Sequence, residues 1–162
     1  MNHVETIGVV SDTHDHLPSI ERAVQVFNER AVDFVIHAGD IVSPFTARVF
    51  QELQAPLVGI FGNNDGDWIH LQEFFKNIGT FHADPYMNEI GGARIAVTHV
   101  PGLVPSLAAL HDVVIYGHTH EVEIRSNGAL IINPGECCGY LSGRHTVAML
   151  SLEEMKAEII EL

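Results

Sequence analysis

Three short runs of aliphatic and β-branched residues, Thr6–Ser11, Phe34–His37 and Leu57–Phe61, are separated by stretches in which apolar side chains recur at helical spacing. The runs show little alternation of polar and apolar side chains, as expected of strands covered on both faces. Between them, Pro18 opens a segment in which Ile20, Ala23, Val24 and Phe27 share one helical face as far as Arg30. A second helix is expected after Pro44, with Phe45, Val49, Phe50 and Leu53 on one face, and a third over Trp68–Phe75. Buried strands joined by helices form parallel sheets, because a parallel connection needs a crossover that a tight turn cannot supply. The opening of the chain therefore reads as α/β.

The second half changes character. Ile90 and Ala93–Val97 flank Gly91-Gly92, and Val122–Arg125 and Ala129–Ile132 flank Ser126-Asn127-Gly128, both hairpin signals. Val113–Tyr116 and Thr146–Leu150 are further strands. The tail Leu152–Leu162 supports two readings: Leu152, Met155, Ile159 and Leu162 fit a helix, whereas Met155, Ala157 and Ile159 alternate as in a strand. Eight or more strands with three or four helices are too much for one sheet in 162 residues. Two packed sheets with helices outside are expected.

Composition narrows the function. Lys and Arg total 8 against 21 Asp and Glu, a net charge of −13. A surface that acidic repels nucleic acid and anionic lipid, so neither is expected as a stable partner. No apolar run approaches the length of a bilayer span, and no basic cluster precedes the first one as in a secretory signal. Cys137 and Cys138 are adjacent and badly placed to bridge each other, which fits a cytoplasmic protein. Histidine occurs 11 times, more often than Lys and Arg together. Imidazole is both the commonest neutral metal ligand and the usual proton carrier near neutral pH, and position decides between those uses.

Following each strand to its end locates the chemistry. The strands run into Ser11-Asp12-Thr13-His14, His37-Ala38-Gly39-Asp40, Gly62-Asn63-Asn64-Asp65, Thr98-His99 and Gly117-His118-Thr119-His120. Ligands of open α/β sheets sit beyond the carboxyl ends of strands, so these five loops can converge. Asp12 and His14 are two residues apart, as are His118 and His120, and in extended chain such pairs point the same way. The glycines before the polar residues allow tight turns or close approach. Two carboxylates, four imidazoles and a carboxamide are too many for one tetrahedral zinc but suit two ions of higher coordination sharing a carboxylate. Nitrogen and oxygen donors without thiolate favour manganese, with nickel, iron, cobalt or zinc as the alternatives, over magnesium or calcium.

The series Asp12-x-His14, Gly39-Asp40, Gly62-Asn63, His99 and Gly117-His118-x-His120, with Asn133-Pro134-Gly135 behind it, resembles the motif series of the calcineurin-like metallophosphoesterases. The length and the lack of a cap domain look like the small stand-alone YfcE-like phosphodiesterases. The resemblance implies one domain over residues 1–162, with an α/β fold in which helices flank two mixed sheets in four layers, αββα. It implies that Asp12, His14 and His120 hold one metal, that Asn63, His99 and His118 hold a second, and that Asp40 bridges both. Asp40, Asn63, Asn64 and His99 become the candidate catalytic residues, and a small phosphoester the expected substrate. A hydroxide bridging the ions would attack phosphorus in line. With a local charge of about +1, such a site draws in one phosphate group and not an extended polyanion.

Three positions depart from the family pattern. Asn64 stands where many relatives have a histidine thought to protonate the leaving group. Val100-Pro101-Gly102 replaces a Gly-His after His99, and Glu136 stands where the smaller family often has serine, where it could oppose a highly charged substrate. His37 is expected as a core histidine, and His16 as either a support to the metal ligands or a surface residue. His3, His70, His82, His111 and His145 are expected at the surface or in packing, and Cys137-Cys138 as buried packing. Asp65 reads as an acceptor behind the ligands or as a helix cap. A protein-interaction scaffold of the retromer-adaptor type, on the same fold, is the alternative to an enzyme, and the sequence leaves a homo-oligomer open.

Overall fold

The computed structural model describes residues 4–162, so His3 lies outside the described residues. The first half runs β1 (Thr6–Val10), α1 (Leu17–Glu29), β2 (Phe34–His37), α2 (Ala47–Phe50), β3 (Leu57–Ile60), α3 (Trp68–Phe75) and β4 (Gly79–His82). The second half runs β5 (Tyr86–Ile90), β6 (Ala93–Thr98), α4 (Val104–Ala108), β7 (Val113–Tyr116), β8 (Val122–Asn127), β9 (Ala129–Pro134), β10 (Thr146–Ser151) and β11 (Lys156–Glu161).

Among the described residues one sheet has the order β11-β10-β1-β2-β3-β4 and the other β5-β6-β7-β9-β8. In the first, β1 to β4 run parallel and β10 pairs antiparallel with both β1 and β11. In the second, β6, β7 and β9 run parallel, while β5 and β8 join at the edges by the two predicted hairpins. Both sheets are therefore mixed.

Alternation along the strands sorts the core into layers. Ile7, Val9, Ile36 and Ile60 of the first sheet pack with Ile95, Val97, Val113 and Ile132 of the second, filling the space between sheets. Val10, Val35 and Leu57 face the other way, onto Ile20, Val24, Phe27 and Phe50 of α1 and α2 and Leu71 and Phe75 of α3. Val114 and Ile131 face α4 through Val104 and Leu107. The outcome is the expected helix–sheet–sheet–helix order. Gly8 lets α1 approach β1, since a Cβ there would lie 2.6 Å from the Phe27 ring.

Three details differ from the sequence reading, and the tail, left open there, takes one of its two forms. The segment after Pro44 is a 3₁₀ turn over Pro44–Thr46 followed by a single α-turn, and Phe45 is 70% exposed rather than on the buried face. Ser43, accepting from Phe45 N–H, caps that turn. Gly79–His82 forms an edge strand beside β3 that its mixed composition did not announce. The tail is a strand, because all of Lys156–Glu161 finds a partner on β10 and a helix would leave that edge of β10 unpaired.

Candidate metal centre

The carboxyl ends of β1, β2, β3, β6 and β7 meet at one edge of the sandwich, and the five polar loops come together there. Asp12 N–H donates to Gly39 O at 3.0 Å and His14 N–H to Asp40 O at 3.1 Å, lacing the first two loops together. Gly39 has φ +97°, and a Cβ on it would lie 2.6 Å from His99 Nδ1. A Cβ on Gly117 would collide with Ser11 Oγ and reach within 2.9 Å of Asp12 Oδ2. The loops are this close because glycine permits it.

Asp12, His14, Asp40, His118 and His120 have φ of 52°, 38°, 60°, 75° and 62°. They converge through left-handed turns, not through the extended alternation expected from their spacing. Each such residue stores about 1–3 kcal/mol of backbone strain, which the surrounding packing must hold. Asp and His are among the non-glycine residues that visit this region most readily.

Side chains then meet around two overlapping centres. Asp12, His14 and His120 offer ligand atoms within 4.8 Å of one another, and so do Asp12, Asp40 and His99. His120 Nε2 lies 3.3 Å from Asp12 Oδ1, and His99 Nε2 lies 3.2 Å from Asp40 Oδ2. His14 Nε2 is 3.4 Å from Asp40 Oδ2. Yet Asp12 Oδ1, His14 Nε2 and His99 Nε2 are buried without a hydrogen-bond partner. Buried polar atoms without partners are costly and rare, so three aimed at one space mark a place for something they can ligate. Nitrogen and carboxylate donors suit a divalent transition metal, so the residues fit the ions the motifs imply. Asn63 and His118 lie at the solvent side, with Asn63 Oδ1 2.8 Å from His118 Nδ1. The His118 ring meets the His99 ring edge-on at 5.2 Å.

Behind these groups stand residues that orient them. Ser11 Oγ and His118 N–H donate to Asp12 Oδ2, leaving Oδ1 free. His99 Nδ1 donates to Ala38 O at 2.7 Å, which turns its Nε2 inward. Asp65 accepts the N–H groups of Asp40, Val42 and Gly62 and so ties the second loop to the third. It supports the ligands; the cap of α3 is Asp67. Asn64 donates both its N–H and its side-chain amide to Asp40, each at 2.8 Å. Its amide therefore orients a carboxylate.

Glu136 is the largest surprise. It is fully buried, and its carboxylate accepts from His120 Nδ1 at 2.6 Å. It also accepts the Leu141 and Ser142 N–H groups and the Cys138 thiol. A carboxylate so saturated faces His120 and not a substrate. His37, buried, bonds Thr13 Oγ1 and the Gly39 N–H. Asp84, which no motif flagged, accepts the His99 N–H at 2.7 Å.

Electrostatics follow from this packing. Burial works to lower the His99 pKa, but the Asp40 and Asp12 carboxylates outweigh it and raise it to about 9. Burial would raise Asp40, but the nearby His99 ring and the Asn64 donors hold it well below the usual carboxylate range. Glu136 is likewise pulled down to about 2 against its own burial, by Ser142 and His120. Burial lowers His37 to about 4, so it is neutral. Burial pushes the Cys138 thiol up to about 12 and Cys137 higher still, so neither is a nucleophile.

His16 turns out to cap α1, accepting from Ser19 N–H, with its ring stacked 5.1 Å from His145. His145 bonds Ser19 Oγ and Cys137 O. His70 pairs with Asp67, His82 packs on Tyr86 and His111 bonds Leu107 O. His70, His82, His111 and His145 are surface or packing groups, as expected, whereas His16 is a helix cap, which neither expected role included.

The chain matches the model of the calcineurin-like phosphoesterase superfamily domain over residues 6–155. It is 43% identical over 165 residues to Phosphodiesterase MJ0936 of Methanocaldococcus jannaschii, with 96% of this chain and 98% of that protein covered. A solved structure described as a novel archaeal phosphodiesterase superposes with a TM-score of 0.92 at 41% identity, covering 97% of this chain and 99% of that one. Two more distant structures share the fold. Vacuolar protein sorting 29 of Cryptosporidium parvum has a TM-score of 0.71 at 17% identity, covering 99% and 98% of the two chains. YfcE, a phosphoesterase from E. coli, has a TM-score of 0.65 at 20% identity, covering 96% and 98%. Motif order, the layered fold and these similarities agree, and this chain belongs to the calcineurin-like phosphoesterase superfamily.

Proposed function

We propose that this chain is a metal-dependent phosphodiesterase acting on a small phosphoester, as one metallophosphoesterase domain without a cap. Asp12, His14 and His120 would hold one divalent ion, Asn63, His99 and His118 a second, and Asp40 would touch both, with manganese the first choice of metal. Such a pair, when bound, makes water a competent nucleophile near neutral pH and stabilises charge on the transferring phosphoryl group. The protein's own contribution is position. Ala38 O and Glu136 fix the ring nitrogens of His99 and His120 so that Nε2 of each faces inward. Asp65 holds the Asp40 and Gly62 backbones together, and Asn64 sets the plane of the Asp40 carboxylate. With both thiols protonated, attack by water rather than through a covalent phosphoenzyme is the route these residues support.

The observation that carries this reading is the convergence of Asp12 Oδ1, His14 Nε2 and His99 Nε2, buried and unpartnered. All seven candidate ligand positions carry competent ligands, a complete set that a pure docking scaffold of the retromer-adaptor type need not retain. The name of the relative at 43% identity supports the diesterase choice. Among the described residues no helix is long and apolar enough to cross a membrane. The two unpaired, buried thiols suit a reducing cytoplasm. The test is reconstitution of metal-free protein with manganese, iron, cobalt, nickel or zinc, followed by metal analysis and hydrolysis of bis(4-nitrophenyl) phosphate. About two ions per chain and metal-dependent hydrolysis are expected. Saturation at one ion, or no hydrolysis with any metal, ends the reading.

A further inference from the structure

None of the eight Lys and Arg residues lies within residues 11–16, 38–43, 61–67, 98–103, 117–121 or 133–140, and Arg144, at the far end of the loop after β9, is turned to Glu161. Six of the eight, among them Arg30, Arg94 and Arg144, pair with carboxylates elsewhere. Proteins that grip a dianionic or a second phosphate do so with the fork of Arg or the point charge of Lys. This centre has neither. Its positive charge comes from the ions it binds, and that charge matches one phosphate group.

Beside Asn63, His99 and His118 a groove opens between the loops after β3 and β6. Phe61, Val100 and Pro101 give it apolar walls, and Asp84 adds a carboxylate. Val100 is 49% exposed, an apolar side chain at the groove. Phe61 is buttressed by Trp68, stacked at 4.3 Å and anchored by its indole N–H to Asp65 O, so this wall is stiff. Asp84 is committed on one side to the His99 N–H, and its Oδ1 is buried without a partner. An anion placed in this groove away from the ions would meet the Asp84 carboxylate and no cationic side chain.

We infer that the groove seats the second ester group of a phosphodiester, and that this group is uncharged and apolar, aryl in preference to small alkyl. The inference rests on the phosphodiesterase reading and narrows it. A diester carries one negative charge on phosphorus, which the ions neutralise, and its organic arm enters a wall of Phe61, Val100 and Pro101. A dianionic monoester leaves the groove empty. A substrate with a further phosphate or carboxylate on that arm is repelled by Asp84.

The test uses the metal-loaded protein and three phosphinates with no ester bond to cleave: the monoanions dimethylphosphinate and diphenylphosphinate, and bis(4-carboxyphenyl)phosphinate, whose two carboxylates add two charges. Each is measured as an inhibitor of bis(4-nitrophenyl) phosphate hydrolysis and by calorimetric titration, which needs no turnover. Diphenylphosphinate is expected to bind about tenfold more tightly than dimethylphosphinate, the effect of removing roughly 60 Å² of apolar surface from water. The carboxylated compound is expected to bind no better than dimethylphosphinate. Val100→Lys should invert the order, weakening the diphenyl compound and tightening the carboxylated one about tenfold. Equal binding of the diphenyl and carboxylated compounds to the wild type overturns the inference, as does a Val100→Lys variant that ranks all three as the wild type does. Failure of the wild type to hydrolyse any diester overturns the parent reading instead, and calorimetry tells the two failures apart.

Discussion

Asp12 and His120 each have a buried partner behind them, Ser11 for the first and Glu136 for the second, whereas Asn63 and His118 stand at the solvent side and lean on each other. His99 joins the two regions, buried like the first pair and touching His118 like the second. The difference lies in where free energy is spent. In the inner half, orientation is set during folding by contacts that no ion has to make. In the outer half, Asn63 and His118 are held by each other at the solvent side. The inner half should therefore bind its ion first and release it last.

The strongest way to break this comparison is Asp40→Asn, since Asp40 faces both halves. The expected result is loss of both ions and a fall in kcat/KM of about 10³-fold, the scale of losing a main electrostatic stabiliser. Loss of one ion alone in metal analysis would mean that Asp40 serves only one half. Glu136→Gln is a finer cut. It keeps an acceptor for the Leu141 and Ser142 N–H groups but removes the charge behind His120. Affinity of the inner ion should drop about 10- to 100-fold with the outer one unchanged, and Glu136→Asp should recover part of it. Calorimetric metal titration that finds both sites weakened alike would erase the distinction.

The smallest effect concerns protons. In metal-free protein His99, with its pKa raised to about 9, is an imidazolium at neutral pH. A raised histidine pKa contributes stability that is full below its unfolded value near 6.5 and is lost as pH climbs through about 9. Metal-free protein should thus lose stability across that window, and metal uptake should release a proton there, since the ligand must be neutral. An NMR titration placing His99 at or below its ordinary value would show that the Asp40 and Asp12 carboxylates do not govern it.

The first three parallel strands were legible because apolar runs ending in polar clusters need only local sequence. Phe34–His37 and Trp68–Phe75 stand as read, and the residues at their ends mark the site. Features that depend on what lies across a gap were not legible. Phe45 has the spacing of a core residue, yet the 3₁₀ turn points it outward. Glu136 looked like a group facing substrate because its partner, His120, sits 16 residues away on another loop. Asp84 belongs to no motif and matters only because β6 brings His99 to it. The left-handed turns had a faint signal in the Asp and His residues themselves, but only the crowding of Gly39 against His99 demands them.

The place of β1 in its sheet has a consequence for how the centre comes into being. The strand that delivers Asp12 and His14 is flanked by β2 on one side and by β10 on the other, with Thr6 opposite Ser151 and Val9 opposite Ala148. Its second neighbour is thus synthesised after every candidate ligand. All seven candidate ligands have been made by residue 120, yet one side of their first strand stays open until the closing hairpin of β10 and β11 pairs with it. Such a long-range closure is slow relative to local helix formation. A nascent chain therefore carries every ligand before it owns a metal site, and loading must wait for a hairpin that contributes no ligand.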